Sequence, residues 1–353
     1  SLRSGEAYTK THPNVKIEFV NVEVGDAAGQ IALDGPAGKG PDLFAAPHDK
    51  LGEMVSSGHV KPTVNAEEVK KEVLGACSQA LTYEGQMYGY PISAETYALF
   101  YNKALIKESE IPTTWEGVKY WATEFNKANP GKYGFMMDVG NGYYTIIFTT
   151  MKGNRLFGES GTDTSSTYLN TPSAVTGMKF FQSLKQALDV PAEDLNTGNC
   201  DAAFQAGTAA MHITGLWNIK NFEDAGIDFG VAPLPALPGD NRPASSFSGT
   251  RAMFVSAYSK HADEAADFAQ FLLTPEMQQL RFNLTGAMPS IDTTVSSKYI
   301  SGFLKQLDYA FPMPSIPQIS AFWAAFNSAS TNIWNGAEVQ AELDACNTTI
   351  LGL

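Results

Sequence analysis

The chain is poor in the residues from which many functions are built. Its 353 residues include three cysteines, Cys77, Cys200 and Cys346, far apart and odd in number. They supply neither a disulfide framework nor a paired metal-binding motif, and they read as inert small side chains. That usage fits an exported bacterial protein as well as a cytosolic one. Five histidines, at 12, 48, 59, 212 and 261, lack zinc-ligand spacing, so no metal site is expected. No apolar run approaches the ~20 residues of a membrane span, and stretches such as YALFYNKAL at 97–105 are interrupted by polar side chains. Basic charge is scarce: 24 Lys and Arg against 37 Asp and Glu leave a net charge of −13. With no Lys/Arg cluster, nucleic acid and anionic membrane are excluded as partners. A phosphate-loop pattern, a nucleophile elbow and a dinucleotide glycine pattern in strand-helix context are all absent, and no cofactor is expected. The residues at Ser1 do not read as a secretory signal, which suits a trimmed mature chain or one that never carried a signal.

What is present is the composition of an ordinary globular protein, 44% hydrophobic and 17% charged, with length for about two domains at ~150 residues each. Residues 5–12 look like the end of a helix stopped by Pro13, and VKIEFVNV at 15–22 alternates like a strand. A Gly/Pro loop leads into a short buried strand, Leu43–Ala46. His48, Asp49 and Lys50 stand at its end, before a helix that carries Leu51, Met54 and Val55 and closes at Gly58. That puts a polar triplet at the carboxyl end of a strand, where open α/β sheets bind ligands. Asp49 admits a second reading, as a carboxylate favoured by a helix dipole. Further helices are expected at 66–74, 114–129 with Thr114 as cap, 172–188, 199–206, 261–273 and 332–353. Glu84-Gly85 suggests a hairpin turn. Strands are expected around 93–102, with a helix beyond, and within 208–215, 228–239 and 245–259. Glu95 lies in apolar company and must be hydrogen-bonded or near a cleft, since an unpaired buried charge is costly. Asp138, Asn141, Tyr143 and Tyr144 surround a Gly-rich loop, a place where function concentrates. Alternating strands and helices without a nucleotide loop predict open α/β lobes with parallel sheets.

Residues 313–329, MPSIPQISAFWAAFNSA, predict a helix with Ser315 and Gln318 at capping-box spacing and Pro317 in its first turn. Phe322, Phe326, Ala329 and Ile333 form its core stripe, with Trp323 about 100° round from Phe322. Trp323 and Trp217 each read either as a core aromatic or as a flat stacking surface for a ligand. Asp49, Glu95 and Asp138 are carboxylates from which a glycosidase pair could be drawn, and sequence spacing does not exclude it.

Taken together, GPDLFAAPHDKLG (39–52), MYGYPISAETYALFYNKAL (87–105), AAFQAGTAAMHITGLWNI (202–219) and MPSIPQISAFW (313–323) resemble the maltose/maltodextrin-binding proteins of bacterial ABC sugar importers. The resemblance runs from near residue 5 to the C-terminus. It implies a two-lobed periplasmic-binding-protein fold, each lobe an open, mainly parallel sheet flanked by helices, with a ligand cleft between lobes and no catalysis. Its implied lobes are 1–93 plus 250–294 and 97–247 plus 299–353, with hinge crossings near 94–96, 248–249 and 295–298. The family's first strand and most of its first helix are expected to be missing from this chain. An extracytoplasmic location is implied, periplasmic or as a cell-surface lipoprotein, as are a monomer, an oligosaccharide ligand and permease subunits as partners.

For the site, the resemblance implies that Asp49 and Glu95 accept hydrogen bonds from sugar hydroxyls, while Tyr143, Trp217 and Trp323 pack on glucose faces and Met313 falls on a pocket position. Lys50, Asn141 and Asn327 occupy positions where the family often has Arg, Glu and Arg. Ala46 and Ala324 stand where it often has Trp and Tyr.

Overall fold

A computed structural model describes residues 2–23, 25–293, 295 and 297–353. The chain divides into two compact units, Ser1–Glu95 with Gly249–Ser296, and Thr96–Ser248 with Ser297–Leu353. Thr294 and Ser296, at the end of the expected first lobe and in the expected crossing at 295–298, lie outside the described residues. In chain order the strands are β1 (Leu43–Pro47), β2 (Thr82–Tyr83), β3 (Gln86–Met87), β4 (Tyr90–Glu95), β5 (Tyr97–Asn102), β6 (Tyr133–Met136), β7 (Ala209–Gly215), β8 (Phe229–Ala232), β9 (Phe247–Val255) and β10 (Phe311–Pro312).

In the first unit, β9 from Gly249 onward is the central strand, paired antiparallel with β1 on one side and β4 on the other. Its core gathers Phe44, Leu51, Met54, Tyr90, Ile92, Phe254 and Ala269. The β2–β3 hairpin turns on Glu84 (φ 49°) and Gly85 (φ 82°). Both are left-handed, as a two-residue turn matched to strand twist requires. Residues 15–22 join no strand ladder among the described residues, contrary to their alternating pattern, and Phe19 and Val20 are exposed. Alternation prepares a face for burial, but a strand forms only where a neighbour takes up its backbone N–H and C=O groups.

The second unit holds the sheet β6-β7-β5-β8. Phe100 on β5 packs against Phe204, Phe222 and Phe229, with the Phe229 ring stacked at 5.6 Å. Among the described residues β6–β7 and β10–β9 pair in parallel and the other ladders are antiparallel, which corrects the expectation of mainly parallel sheets. Parallel pairing is dictated where a helix returns the chain within one sheet. Strand β5 instead enters the second unit directly from β4 through Thr96, and β9 runs from one unit into the other. No such return sets their direction.

Most helix signals were followed. Thr114 Oγ1 accepts from Gly117 N at 3.1 Å and starts the helix Trp115–Ala128, as a cap residue should. The helix expected after β5 is absent; the Asn102 side chain accepts from Ala104 N at 2.9 Å and turns the chain instead. The helix expected from residue 315 begins at Ile319, and Gln318 makes no side-chain cap bond. Pro317 disfavours helical backbone at Ile316. The chain makes a tight turn there, with Ile319 N bonding Ile316 O and Ser320 N bonding Pro317 O, before the α-helix is established. Phe322, Phe326, Ala329 and Ile333 are buried as the stripe predicts.

Candidate functional site

In the second unit the sequence-flagged residues converge on one helical turn, Gly142–Thr145. Asn141 Oδ1 accepts from Tyr143 N at 3.0 Å, and Asn327 Oδ1, from the helix Ile319–Trp334, accepts from Gly142 N at 2.6 Å. These two oxygens therefore satisfy N–H groups that the start of a helix leaves without partners. Position 142 has no room for a side chain: an added Cβ would meet Phe326 Cδ1 at 2.9 Å and Asn327 Oδ1 at 3.1 Å. Asn327→Ala leaves the buried Gly142 N–H without its acceptor and is expected to cost about 1–3 kcal/mol. Urea denaturation should show the loss, with Asn327→Asp, which keeps an oxygen there, losing less.

The turn presents Tyr143, and a buried hydroxyl holds it from behind. The Tyr97 O–H donates to Tyr143 C=O and accepts from Phe247 N–H at 3.2 Å. The Thr96 hydroxyl donates to Phe247 C=O at 2.8 Å, so both main-chain groups of Phe247 are held by side chains. Burial, then the nearby Tyr143 hydroxyl, pushes the Tyr97 hydroxyl well above the usual tyrosine range, which keeps it a donor.

Four rings follow in a row. Trp217 lies 6.3 Å from Tyr143, Tyr143 lies 6.1 Å from Phe247, and Phe247 lies 5.9 Å from Trp323, measured between ring centroids. Phe247 is fully buried, Tyr143 and Trp323 are half-buried, and Trp217 is 43% exposed. The buried Phe247 ring thus backs Tyr143 and Trp323, and Tyr143 in turn meets Trp217. Gly215 lets the Trp217 ring fold back on the chain, since a Cβ there would meet Trp217 Cη2 at 2.1 Å. Met313, just beyond β10, is fixed by its N–H on Ser248 C=O at 3.2 Å. Phe247 escapes sequence reading because its strand pattern marks it only as core, which it also is.

Asp138 has a different role. Its Oδ1 accepts from Gly140 N at 2.9 Å and its Oδ2 from the Thr197 hydroxyl at 2.6 Å, in a buried setting that shapes the Gly-rich loop.

In the first unit, β1 and β4 both run antiparallel to β9, so they end on the same side of the sheet. Asp49 and Lys50 sit half-buried in the short 3₁₀ turn His48–Lys50 just past β1, and Glu95 closes β4. The turn is pinned by His48 Nδ1, which accepts from Thr250 N at 3.1 Å. Glu95 is exposed, contrary to the apolar surroundings its neighbours suggest, because alternate residues of β4 face opposite sides. Its side chain lies over Gly249, where an added Cβ would meet Glu95 Cγ and Oε1 at 2.9 Å. Ala46 is fully buried opposite Ala252.

No group of His, Cys, Asp and Glu among the described residues is arranged to hold a metal ion. Among them, no helix is long and apolar enough to cross a membrane. All three cysteines are buried, and burial pushes the Cys77 and Cys346 thiols up to about 12, which keeps them unreactive.

Rings presented from one wall and carboxylates at strand ends describe a binding protein. Residues 3–279 match the family described as bacterial extracellular solute-binding protein, and the chain belongs to that family. Its members capture solutes and are not enzymes. A galactooligosaccharide-binding protein of Bacillus subtilis is 29% identical over 98% of this chain and 84% of its own length. A maltotriose-binding protein of Pyrococcus abyssi is 29% identical over 98% of this chain and 77% of its own. Among solved structures, a cyclo/maltodextrin-binding protein complexed with maltotetraose is 34% identical, with a TM-score of 0.91, over 99% of this chain and 91% of that one.

Proposed function

We propose that the chain is the solute-capturing component of an ABC importer and that its solute is a malto-oligosaccharide. The observation that carries this is the row Trp217, Tyr143, Phe247 and Trp323, three of whose rings reach solvent. A pyranose has apolar C–H faces that suit aromatic rings and a fringe of hydroxyls that suit charged hydrogen-bond partners. In this reading Tyr143, Trp217, Met313 and Trp323 of the second unit pack on sugar faces, with Asn141 and Asn327 fixing Tyr143 in place. Asp49, Lys50 and Glu95 of the first unit exchange hydrogen bonds with sugar hydroxyls. The relatives named for maltotriose and maltodextrin binding support the ligand class. The chain acts as a monomer outside the cytoplasm, in the periplasm or tethered as a lipoprotein, and hands its ligand to permease subunits.

Calorimetric titration with maltotriose tests the reading directly. Binding is expected, and Trp323→Ala should weaken it by about 1–3 kcal/mol, the range for losing one stacked and buried aromatic face. Absence of binding to any α-glucan would sink the ligand assignment and leave the fold untouched. A second reading, an oligosaccharide with other linkages, is favoured by the galactooligosaccharide-binding relative. A thermal-shift panel of maltodextrins and galactooligosaccharides separates the two, because a ligand of the folded state raises its midpoint.

A further inference from the structure

In the second unit the helix Ile300–Leu307 buries an amide, Gln306, among Ile300, Phe303 and Leu307. A buried polar group is costly unless it is hydrogen-bonded, and both ends of this one are. Its Oε1 accepts from Leu234 N at 2.7 Å, and its Nε2 donates to Ala244 C=O at 2.9 Å and to Ser246 Oγ at 3.1 Å. These partners fix the orientation of the amide, since a main-chain N–H only donates and a C=O only accepts.

From Ser246 the bonds continue in one direction. The Thr96 hydroxyl gives its proton to Phe247 C=O, so in the 2.6 Å bond between the two hydroxyls Ser246 donates and Thr96 accepts. Phe247 N–H donates to the Tyr97 oxygen, and Tyr97 O–H donates to Tyr143 C=O. Gln306, Ser246, Thr96, Phe247 and Tyr97 are all fully buried. Hydrogen bonds that run in one sense polarise one another, and a low local dielectric strengthens each of them. The same stretch of main chain also holds β10, with Phe311 N on Ser246 O at 2.9 Å and Met313 N on Ser248 O. A displacement of residues 246–248 therefore moves the Phe247 ring that Trp323 rests on, the support of the Tyr143 turn and the anchor of Met313.

We propose that Gln306, acting through Ser246 and Thr96, is a positioning residue for the ligand-facing row. It lies behind the rings, fully buried, and fixes the stretch 246–248 from which Tyr143, Trp323 and Met313 take their places. This deepens the sugar-binding reading, resting on it for the ligand and on the hydrogen-bond geometry for the line itself.

Ser246→Ala in the full chain cuts the line while Gln306 keeps Leu234 and Ala244 and Thr96 keeps Phe247. Maltotriose should bind it about three- to tenfold more weakly, the scale of one buried hydrogen bond. Thr96→Val should lose as much, and Thr96→Ser, which restores the hydroxyl, should recover most of it. Gln306→Met should weaken binding too, with a larger loss of stability because the Leu234 N–H and the Ala244 C=O lose their partner. Combining Ser246→Ala with Tyr97→Phe should cost clearly less than the product of the two single losses, because both cut one line on either side of Phe247. Parent affinity in Ser246→Ala, or losses that multiply in the double variant, overturns the proposal. Amide hydrogen exchange reads the line without ligand: in Ser246→Ala, residues 246–248 should exchange about threefold faster or more, while β7 keeps the parent rate. An equal change in both segments marks a merely structural role and overturns the proposal as well. If the parent binds no α-glucan, the sugar reading fails and hydrogen exchange alone decides the line.

Discussion

Trp334→Ala is expected to lower the stability of the second unit by about 3–5 kcal/mol, the range for emptying a buried tryptophan site. Trp334 is fully buried, packs on Phe181 with centroids 5.2 Å apart, and donates its Nε1–H to Val190 C=O at 2.8 Å. The substitution removes apolar contact and orphans a carbonyl acceptor at once. Its reach is functional as well, because Trp334 ends the helix that carries Trp323 and Asn327. Denaturant unfolding followed by circular dichroism measures the loss. Trp334→Phe, which keeps a ring but lacks the N–H, should recover more than half of it. A loss below 1 kcal/mol in the alanine variant would show that the C-terminal end of this helix does not anchor it.

Gly177→Ala should destabilise by about 3 kcal/mol, at the upper end of the range for overpacking. The sign is the informative part. Alanine in place of a mid-helix glycine normally gains up to about 1 kcal/mol, because glycine loses more freedom on folding. Here an added Cβ would lie 1.7 Å from the main-chain oxygen of Phe148, a backbone atom that cannot swing aside. The helix Pro172–Ser183 rests on the 3₁₀ segment Ile146–Thr149, which follows directly from the turn carrying Tyr143. A melting temperature at or above the parent's would refute that close approach. A lowered one, with weakened maltotriose binding, would tie the packing of this helix to the placement of Tyr143.

Features written in a few consecutive residues were legible without coordinates. Thr114 with its helix, the Glu84-Gly85 hairpin and the Phe322-Phe326-Ala329-Ile333 stripe depend on local backbone preference and on burial at a fixed period. Strand direction was not legible, because it depends on where the chain changes unit, and no periodicity records that. Residues 15–22 show the limit of alternation, which describes a face and says nothing of a neighbour. Of the candidate site, Tyr143, Trp217 and Trp323, the three rings that reach solvent, were visible as aromatics beside loops and element ends. Asn141 and Asn327 were placed in the right neighbourhood, but their Oδ1 atoms hold the backbone of the Tyr143 turn. A side chain 185 residues away from the amide it accepts from leaves no local trace.

The aromatic row is assembled from four separate stretches of chain, around residues 143, 217, 247 and 323. None of these alone contributes more than one ring to the row, so the row exists only in the folded unit. Under the proposed function, occupancy of this row and integrity of the second unit are one coupled equilibrium. A molecule carrying its cargo is, for as long as it carries it, also better protected against proteases that attack opened chains.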